Sequence, residues 1–410
     1  RHPVAVQNGR QIGRLARMIS VAEAQATLLA LASPLSSVEL ELTKAARHYL
    51  HGPLHATRTQ PAADLSAMDG YALSAVAFPG PWHVIGESAA GRPFAGVLKH
   101  NQAVRIFTGA HIPAGADAVL IQEDASRDGD NLIATATDTL APGIHIRKAG
   151  GDFSSGDTVL TTGTLLEAGP CALAAMAGHA TVHVGRWPHV TIVATGDELL
   201  PAGIECSPAQ IPSSNSTMLH AMLSNLPCKI TDGGIIADRL TDLETRLSTL
   251  ASTTDIIVTT GGASVGDHDL VQAALRNIGA DMDFWKVAMR PGKPVMAGKI
   301  GNTIVLGLPG NPTSAFVTAF LFLLPLIRHM AGSLSPLPEI FEAKADNALF
   351  PGGSRAEYVR GRVEGGSITA FITRDSGLVS PLSHSNALII RDVNAPEAPT
   401  GAIVQYHRLF

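Results

Sequence analysis

Cysteine is scarce. Cys171, Cys206 and Cys228 are the only three among 410 residues, an odd number at wide spacings with no CxxC pair and no His cluster beside them. That pattern speaks against a disulfide framework and suits a reducing cytoplasm. Excess positive charge is also missing. With a formal balance of −5 nothing global attracts a polyanion, so nucleic acid is not the expected partner and any phosphate must be met by local lysines, arginines and backbone amides. No apolar run reaches the roughly 20 residues needed to cross a bilayer. The longest, Ala315–Ile327, is interrupted by Thr318 and Pro325 and reads as a buried helix, so no membrane is expected. Arg1–Arg17 is polar and basic and lacks the apolar stretch of a signal peptide, which leaves Met18 as a candidate start. No internal repeat and no low-complexity tract interrupts the chain.

What remains is an ordinary globular composition, 45% apolar and 16% charged, on a chain too long for one typical core; roughly two to four domains are expected. Apolar residues recur at helical spacing from Ile19 to Leu50, as in Val21, Ala24, Leu28 and Leu31, with Pro34 closing the first segment, which predicts an N-terminal helical layer. Short β-like runs (WHVIGE, AVRIFTG, DAVLIQED, LIATAT) then occupy His51 to Asp152, and Leu165–Gly178 reads as a helix again. The β segment is therefore expected as an insert in a helical domain. The expected partition is 18–54 with 153–184 for the helical domain, 55–152 for the inserted β domain, 185–332 for an α/β domain, and 333–410 for a small C-terminal β-barrel domain.

Within 185–332 strands alternate with helices: HVTIVAT, a helix over Ser216–Leu226, DIIVTT, a helix over Asp269–Ile278, and TIVLGL before the long apolar helix. Leu240, Leu243, Leu247 and Leu250 follow Asp238 as an amphipathic helix with an N-cap. Such alternation predicts a parallel sheet covered on both faces, with its ligand site beyond the carboxyl ends of the strands.

The strongest local feature is IIVTTGGASVGDHD, where a strand runs into a glycine-rich turn ahead of a helix. Glycines let backbone N–H groups approach an anion at the positive end of the helix. GLPGNPTSA repeats the design, with Gly310 and Asn311 tolerant of unusual backbone angles and Pro312 placed to start a helix. Neither is a Walker A or a GxGxxG loop. Together they make Thr260, Gly261, Gly262, Ser264, Gly266, Pro309, Gly310 and Asn311 candidate ligand contacts. FWKVAMRPGKP lies between them and supplies Lys286, Arg290 and Lys293 as an oxyanion clamp, or else as a solvated basic loop. Carboxylates stand at strand ends: Asp197 and Glu198 in ATGDEL, Asp238 in IIADRL, Asp267 and Asp269 in GDHD. Hard oxygen ligands beside phosphates are how a site holds Mg²⁺. Asp238 and Asp269 are the candidate metal ligands, with plain helix capping as the alternative for each. In the insert, DLSAMDGYA brings Asp64, Ser66 and Asp69 into a turn-rich segment and RIFTGA adds Thr108 next to Gly109.

These segments, with PAGADAV, QED, GGDF and SNS, resemble in order and spacing the motifs of MoeA and of the gephyrin E domain, essentially from Met18 to Phe410. The resemblance implies a molybdenum insertase of molybdenum cofactor biosynthesis: a homodimer of four-domain subunits that takes adenylylated molybdopterin and molybdate, requires a divalent cation and releases AMP. It implies clefts where the β insert of one subunit faces the α/β domain of the other. By motif it makes Asp69 and Thr108 site residues of the insert, and Glu198, Asp238, Asp269, Lys286 and Arg290 catalytic positions of the α/β domain. Lys293 joins the binding positions, as do Arg360, Ser380 and Ser383 on a looser match. The upstream molybdopterin adenylyltransferase and recipient molybdoenzymes are the implied partners. Three departures stand out: Leu65 where the family carries Asn, Arg290 where it often carries Lys, and Ala46-Arg47 for a Gly-Arg pair. Two rival classes are weighed against this reading: a scaffolding protein that uses the same domain to anchor receptor tails, and an enzyme using the shared α/β domain alone, such as the adenylyltransferase or a nucleotide hydrolase. The SAMDGYA and RIFTGA segments speak against the latter.

Overall fold

The computed structural model describes residues 18–136, 139–261, 270–373 and 375–409, apart from the side chain of Phe284. The chain divides into two compact units: 52–183 with 39–46 forms one, and 184–410 with 47–51 and the segment up to Val38 forms the other. Helix α1 (Val21–Leu31) starts where Ser20 Oγ accepts the Glu23 N–H at 3.1 Å, and it buries Ala24 and Leu28 in the core of the larger unit. The helical layer expected as far as Leu50 ends there. Ser37–Glu41 is a strand with alternating exposure, because SSVELE has a period of two, which a helix cannot bury on one face.

The smaller unit is built on a six-stranded sheet of β1 (Gly70–Leu73), β2 (Trp82–Ser88), β3 (Gln102–Ile106), β4 (Ala118–Ile121), β5 (Ala125–Asp128) and β6 (Asn131–Ala134), in the order β4-β1-β3-β2-β6-β5. Tyr71, Leu73, Trp82, Val84 and Leu120 fill one face, while Ala72, Ile106 and Val119 fill the other. Gly70 sits where β1 meets β4: a Cβ there would lie 2.0 Å from the Leu120 carbonyl oxygen, so only glycine fits. Helix α2 (Ala168–Met176) belongs to the same unit, within the span where a helix was expected.

The larger unit carries β7 (His189–Thr195), α3 (Ser214–Leu223), β8 (Lys229–Ile236), α4 (Leu240–Ala251), β9 (Ile256–Thr260), α5 (Leu270–Asn277), β10 (Asp281–Val287), β11 (Pro294–Ile300), β12 (Thr303–Leu308) and the helix α6 (Pro312–Met330). Its sheet has seven strands, Met18–Ile19 followed by β10-β11-β12-β9-β7-β8. Strands β12, β9, β7 and β8 are parallel, as expected, but β11 is antiparallel to both neighbours. FWKVAMRPGKP is therefore part of a hairpin at the sheet, not a solvated loop. Val190, Ile192, Ile256, Val258, Ile304 and Leu306 pack with α1, α3 and α6. Val193, Ile257 and Val305 face the other way, against Leu243 and Leu247 of α4 and Val271 and Leu275 of α5. Burying each such side chain contributes about 1.5–3 kcal/mol. Helix α6 is 19 residues long and apolar enough to cross a membrane by length and composition, yet 89% of its apolar window is buried inside the protein. It is a core helix, extended beyond the apolar run because Asn311 caps it and Pro312 begins it.

Beyond α6, β13 (Phe341–Ala345), β14 (Ala356–Glu364), β15 (Ser367–Ala370), β16 (Ala387–Arg391) and β17 (Ile403–Arg408) close into a five-stranded barrel through the β14–β16 pairing. Ile368, Ile389, Val404 and Tyr406 line its core.

At the amino ends of the parallel strands Asp255 accepts Arg186 Nη1 and Nη2 at 2.9 and 2.8 Å and the His189 N–H at 2.7 Å, bracing β9 against β7. Burial pushes the Asp255 carboxyl up, but the Arg186 fork and the His189 amide outweigh it and hold its pKa below the ordinary value. A lowered folded-state pKa contributes stability that is complete above the unfolded value of about 4 and is lost as pH falls through the folded one. Between neutral pH and strong acid the wild type should therefore lose more Tm than Asp255→Asn does. Thermal unfolding across that range checks it, and identical acid slopes would show that the pair adds nothing.

Candidate active site

All four parallel strands deliver their C-terminal turns to one edge of the sheet. Strand β8 lies on one side of β7 and β9 on the other, and α3 and α5 cover opposite faces of the sheet, so the ends of β7 and β9 flank a switch point, which is where open α/β sheets bind ligands. Gly261 has φ +92°, and a Cβ on it would lie 2.6 Å from the Thr195 carbonyl oxygen. The close approach of β9 to β7 requires glycine there. The turn after β12 meets it: a Cβ on Gly310 would be 3.5 Å from the Gly261 Cα. Asn215, in the first turn of α3, donates from Nδ2 to the Gly310 carbonyl at 2.8 Å and so pins that turn. The described start of the first glycine-rich segment therefore meets the second, bringing Thr260, Gly261, Pro309, Gly310 and Asn311 to one place. Asn311 departs from expectation. Its backbone is ordinary extended structure, and its side chain acts as a helix cap, accepting the Ser314 N–H at 3.4 Å. Gly262, Ser264, Gly266 and Asp269 lie outside the described residues.

The carboxylates occupy the same edge. Asp197 and Glu198 follow β7, Asp238 follows β8, and the Asp238 N–H donates to Asp197 Oδ1 at 3.0 Å. Helix α4 has Arg239 at its N-cap with no side-chain capping bond, so Asp238 is not the cap that the spacing predicted: the helix starts one residue later. Its carboxyl is pushed up, first by desolvation and then by the negative charges of Asp197 and Glu198. Mutual repulsion of that kind is what a hard cation relieves. Among the described residues, however, no three His, Cys, Asp or Glu side chains close into a metal cage.

The cations reach this edge through the hairpin. β10 runs parallel to β12, because each is antiparallel to β11, and Lys286 at its end pairs with Pro294 at the start of β11. Arg290 pairs in register with Glu357 of β14, their charged atoms 4.0 Å apart. Arg290 and Lys293 form one wall of a cavity of about 410 Å³ whose other walls come from Thr313, Ser314 and the barrel. Arg355, Arg360 and Arg391 also line it, with Glu357 as its lone acidic side chain. That is an oxyanion's environment.

Arg360 is 5% exposed and heavily engaged. It donates to the carbonyls of Leu378, Thr373 and Asp375 at 2.8, 3.1 and 3.0 Å and to Thr313 Oγ1 at 3.3 Å. Its bonds hold the 373–378 loop to the start of α6. Ser380 and Ser383 are exposed and share a one-turn helix, in which Ser383 Oγ donates to the Ser380 carbonyl at 2.7 Å. Sequence reading passed over Arg355 and Arg391. The signal for Arg391 was the charge ending the apolar run ALIIR, and in the fold it is indeed buried, at 8% exposure, where a charge needs a partner.

In the smaller unit Asp69 and Thr108 meet directly. Asp69 Oδ1 accepts the Thr108 N–H at 2.7 Å and the Thr108 hydroxyl at 2.9 Å. Those two bonds, the backbone one first, hold the Asp69 carboxyl below the usual carboxylate range, while Oδ2 has no hydrogen-bond partner among the described residues. Neighbouring polar residues have other work. Asp64 accepts Lys148 Nζ at 2.8 Å and the Ala149 N–H at 2.9 Å, and Ser66 Oγ donates to the Met68 carbonyl at 2.5 Å. Leu65, the position without the family's Asn, pairs through its backbone with Arg147.

Comparison with known proteins agrees along the chain. The MoeA N-terminal region (domain I and II) family matches residues 19–178, the family described as a probable molybdopterin binding domain matches 191–329, and the MoeA C-terminal region (domain IV) family matches 342–409. The molybdopterin molybdenumtransferase of Haemophilus influenzae is 36% identical over 348 residues, covering 84% of this chain and 86% of that protein. Its counterpart in Staphylococcus aureus strain MSSA476 is 30% identical over 386 residues, 91% of each chain. The solved molybdopterin biosynthesis MoeA protein of Pyrococcus horikoshii OT3 superposes with a TM-score of 0.83 at 24% identity, covering 96% of this chain and 100% of its own, and so shares the fold. Identity at this level over most of both sequences places this chain in the molybdopterin molybdenumtransferase (MoeA) family.

Proposed function

We propose that this protein is a transferase of molybdenum cofactor biosynthesis that inserts molybdenum, supplied as molybdate, into adenylylated molybdopterin with release of AMP. The observation that carries this reading is the meeting, on one sheet edge, of Gly261 with the Gly310 turn, beside a carboxylate cluster and a cation-lined cavity. In this assignment the amides around Gly261 and Gly310 hold phosphate oxygens, with Gly262, Ser264 and Gly266 as further ligand contacts. Lys286 binds the phosphate, neutralising its charge in the bound substrate as well as the charge that develops as AMP departs. Arg290 and Lys293 hold molybdate at the cavity mouth, Arg290 as a planar fork where relatives often place a point cation. Asp238 and Asp269 are the residues that would hold Mg²⁺, which would supply charge neutralisation to the phosphates when bound. Glu198 orients that carboxylate group, and Asp69 and Thr108 are the proposed site residues of the smaller unit.

The rival assignments from the shared α/β domain would consume ATP with molybdopterin. Incubating purified protein with adenylylated molybdopterin, molybdate and Mg²⁺ should release AMP in step with molybdenum bound to the pterin. AMP formation only from ATP and free molybdopterin would overturn the assignment. We further propose a cytoplasmic homodimer with the four-domain organisation read from sequence, acting between the adenylyltransferase and recipient molybdoenzymes. Light scattering at micromolar concentration tests the dimer, and a fully active monomer would rule it out.

A further inference from the structure

One arginine of the smaller unit has no part in the roles above. Arg105, on β3, donates from Nη1 to the Gly70 carbonyl at 3.1 Å and from Nη2 to Gln122 Oε1 at 2.7 Å. Gly70 directly follows Asp69, and the Gln122 N–H donates to the Asp69 carbonyl at 3.1 Å. Gln122 Nε2 is spent on Glu123 Oε1 at 3.2 Å, which leaves the amide oxygen turned toward Arg105. One guanidinium therefore ties together the two backbone neighbours that fix the Asp69 turn. Its carbon also lies 5.2 Å from the centre of the Tyr71 ring and 4.8 Å from that of Phe107. Tyr71 flanks the Asp69 turn and Phe107 is the residue before Thr108, so the same group touches both halves of the Asp69–Thr108 pair. Cation–π contacts on two rings restrict its rotamers, and two diverging bonds from one plane are beyond a lysine.

We propose that Arg105 is a positioning residue of this site, locking the Asp69 and Thr108 turns in the geometry in which one carboxylate oxygen takes both Thr108 donors and the other is left for the ligand. The inference rests on the reading of Asp69 as a site residue. Among the described residues Arg105 is the charged group whose field reaches the Asp69 carboxyl, adding to the two Thr108 bonds that hold it low. Removing the one cation therefore lets the Asp69 carboxyl rise toward its ordinary value.

The test uses the full chain, following AMP release from adenylylated molybdopterin with molybdate and Mg²⁺, for wild type, Arg105→Met, Arg105→Lys and Asp69→Asn. Arg105→Met should lower kcat roughly tenfold, the cost of a small misplacement of a reacting group. KM and Tm should stay close to wild type, and the acid limb of the kcat–pH profile should move to higher pH. Arg105→Lys should restore the acid limb but not the full kcat, because charge returns without the fork. Wild-type kcat and an unmoved acid limb in Arg105→Met, with Asp69→Asn inactive, would overturn the positioning role alone. Full rescue of both quantities by Lys would also overturn it, leaving only a charge. Wild-type turnover in Asp69→Asn would remove the reading of Asp69 and this inference with it.

Discussion

Asp69→Ala should reduce AMP release by roughly 10²–10³-fold, the scale lost when one preorganised electrostatic group leaves a site, while thermal unfolding stays close to wild type. The structure supplies the reason for the split. Asp69 lies in a turn and not on an apolar face, and its only side-chain bonds among the described residues run to Thr108. Losing them frees one N–H and one hydroxyl at a surface where water can replace the carboxylate. Asp69→Asn separates the remaining alternatives. Asn keeps a carbonyl oxygen for both Thr108 donors, so a residue that merely shapes the turn should be restored by it. One needed for its charge should remain as impaired as in Asp69→Ala. Full activity in Asp69→Asn, or a fall in Tm that tracks the fall in rate, would return Asp69 to an ordinary turn.

The second large effect belongs to Asp238. Asp238→Asn should lower Mg²⁺-dependent AMP release by about 10²-fold while weakening adenylylated molybdopterin binding much less, because the amide keeps the shape and loses the anionic oxygen that a hard cation needs. A capping role would have predicted almost no change, since Asn and Asp cap helices equally well. With the cap of α4 at Arg239, that alternative lacks a structural basis. The raised carboxyl of Asp238 adds a pH signature. Protons compete with the cation more strongly than at an ordinary Asp, so Mg²⁺ dependence should steepen as pH falls toward the acid range, and the steepening should vanish in Asp238→Asn. Lys286→Gln should show the opposite split, raising KM before kcat. Wild-type rates for Asp238→Asn at ordinary Mg²⁺ would take this residue out of the mechanism.

Much of the architecture was legible because its causes are local. HVTIVAT, DIIVTT and TIVLGL are apolar enough to be buried on both faces, and they became three adjacent interior strands. Leu243 and Leu247 marked the buried stripe of α4 at its four-residue spacing. The glycines after the strands signalled turns that admit a backbone or an anion at close range. Where the reading slipped, two local patterns competed. SSVELE carries a period of two inside a stretch that also satisfies helical spacing as far as Leu31, and the strand won once Pro34 had stopped the helix.

Sequence by itself determined the kinds of element, the glycine-rich turns and the families of residues that bear charge, because propensity and periodicity act over a few residues. Only the tertiary structure decided which of them meet. That Gly261 approaches Gly310, and that Lys286 ends on the same sheet edge, depends on the order β10-β11-β12-β9-β7-β8 and on β11 running against its neighbours. A hairpin and a crossover look alike in a window of ten residues. The same holds for Arg360, whose guanidinium is consumed by three carbonyls of the 373–378 loop, and for Arg355 and Arg391, which enter the cavity because the barrel closes through β14 and β16. A charge's partners are fixed by chain segments beyond any local window, and burial, which sets the strength of every such contact, exists only once those segments have packed.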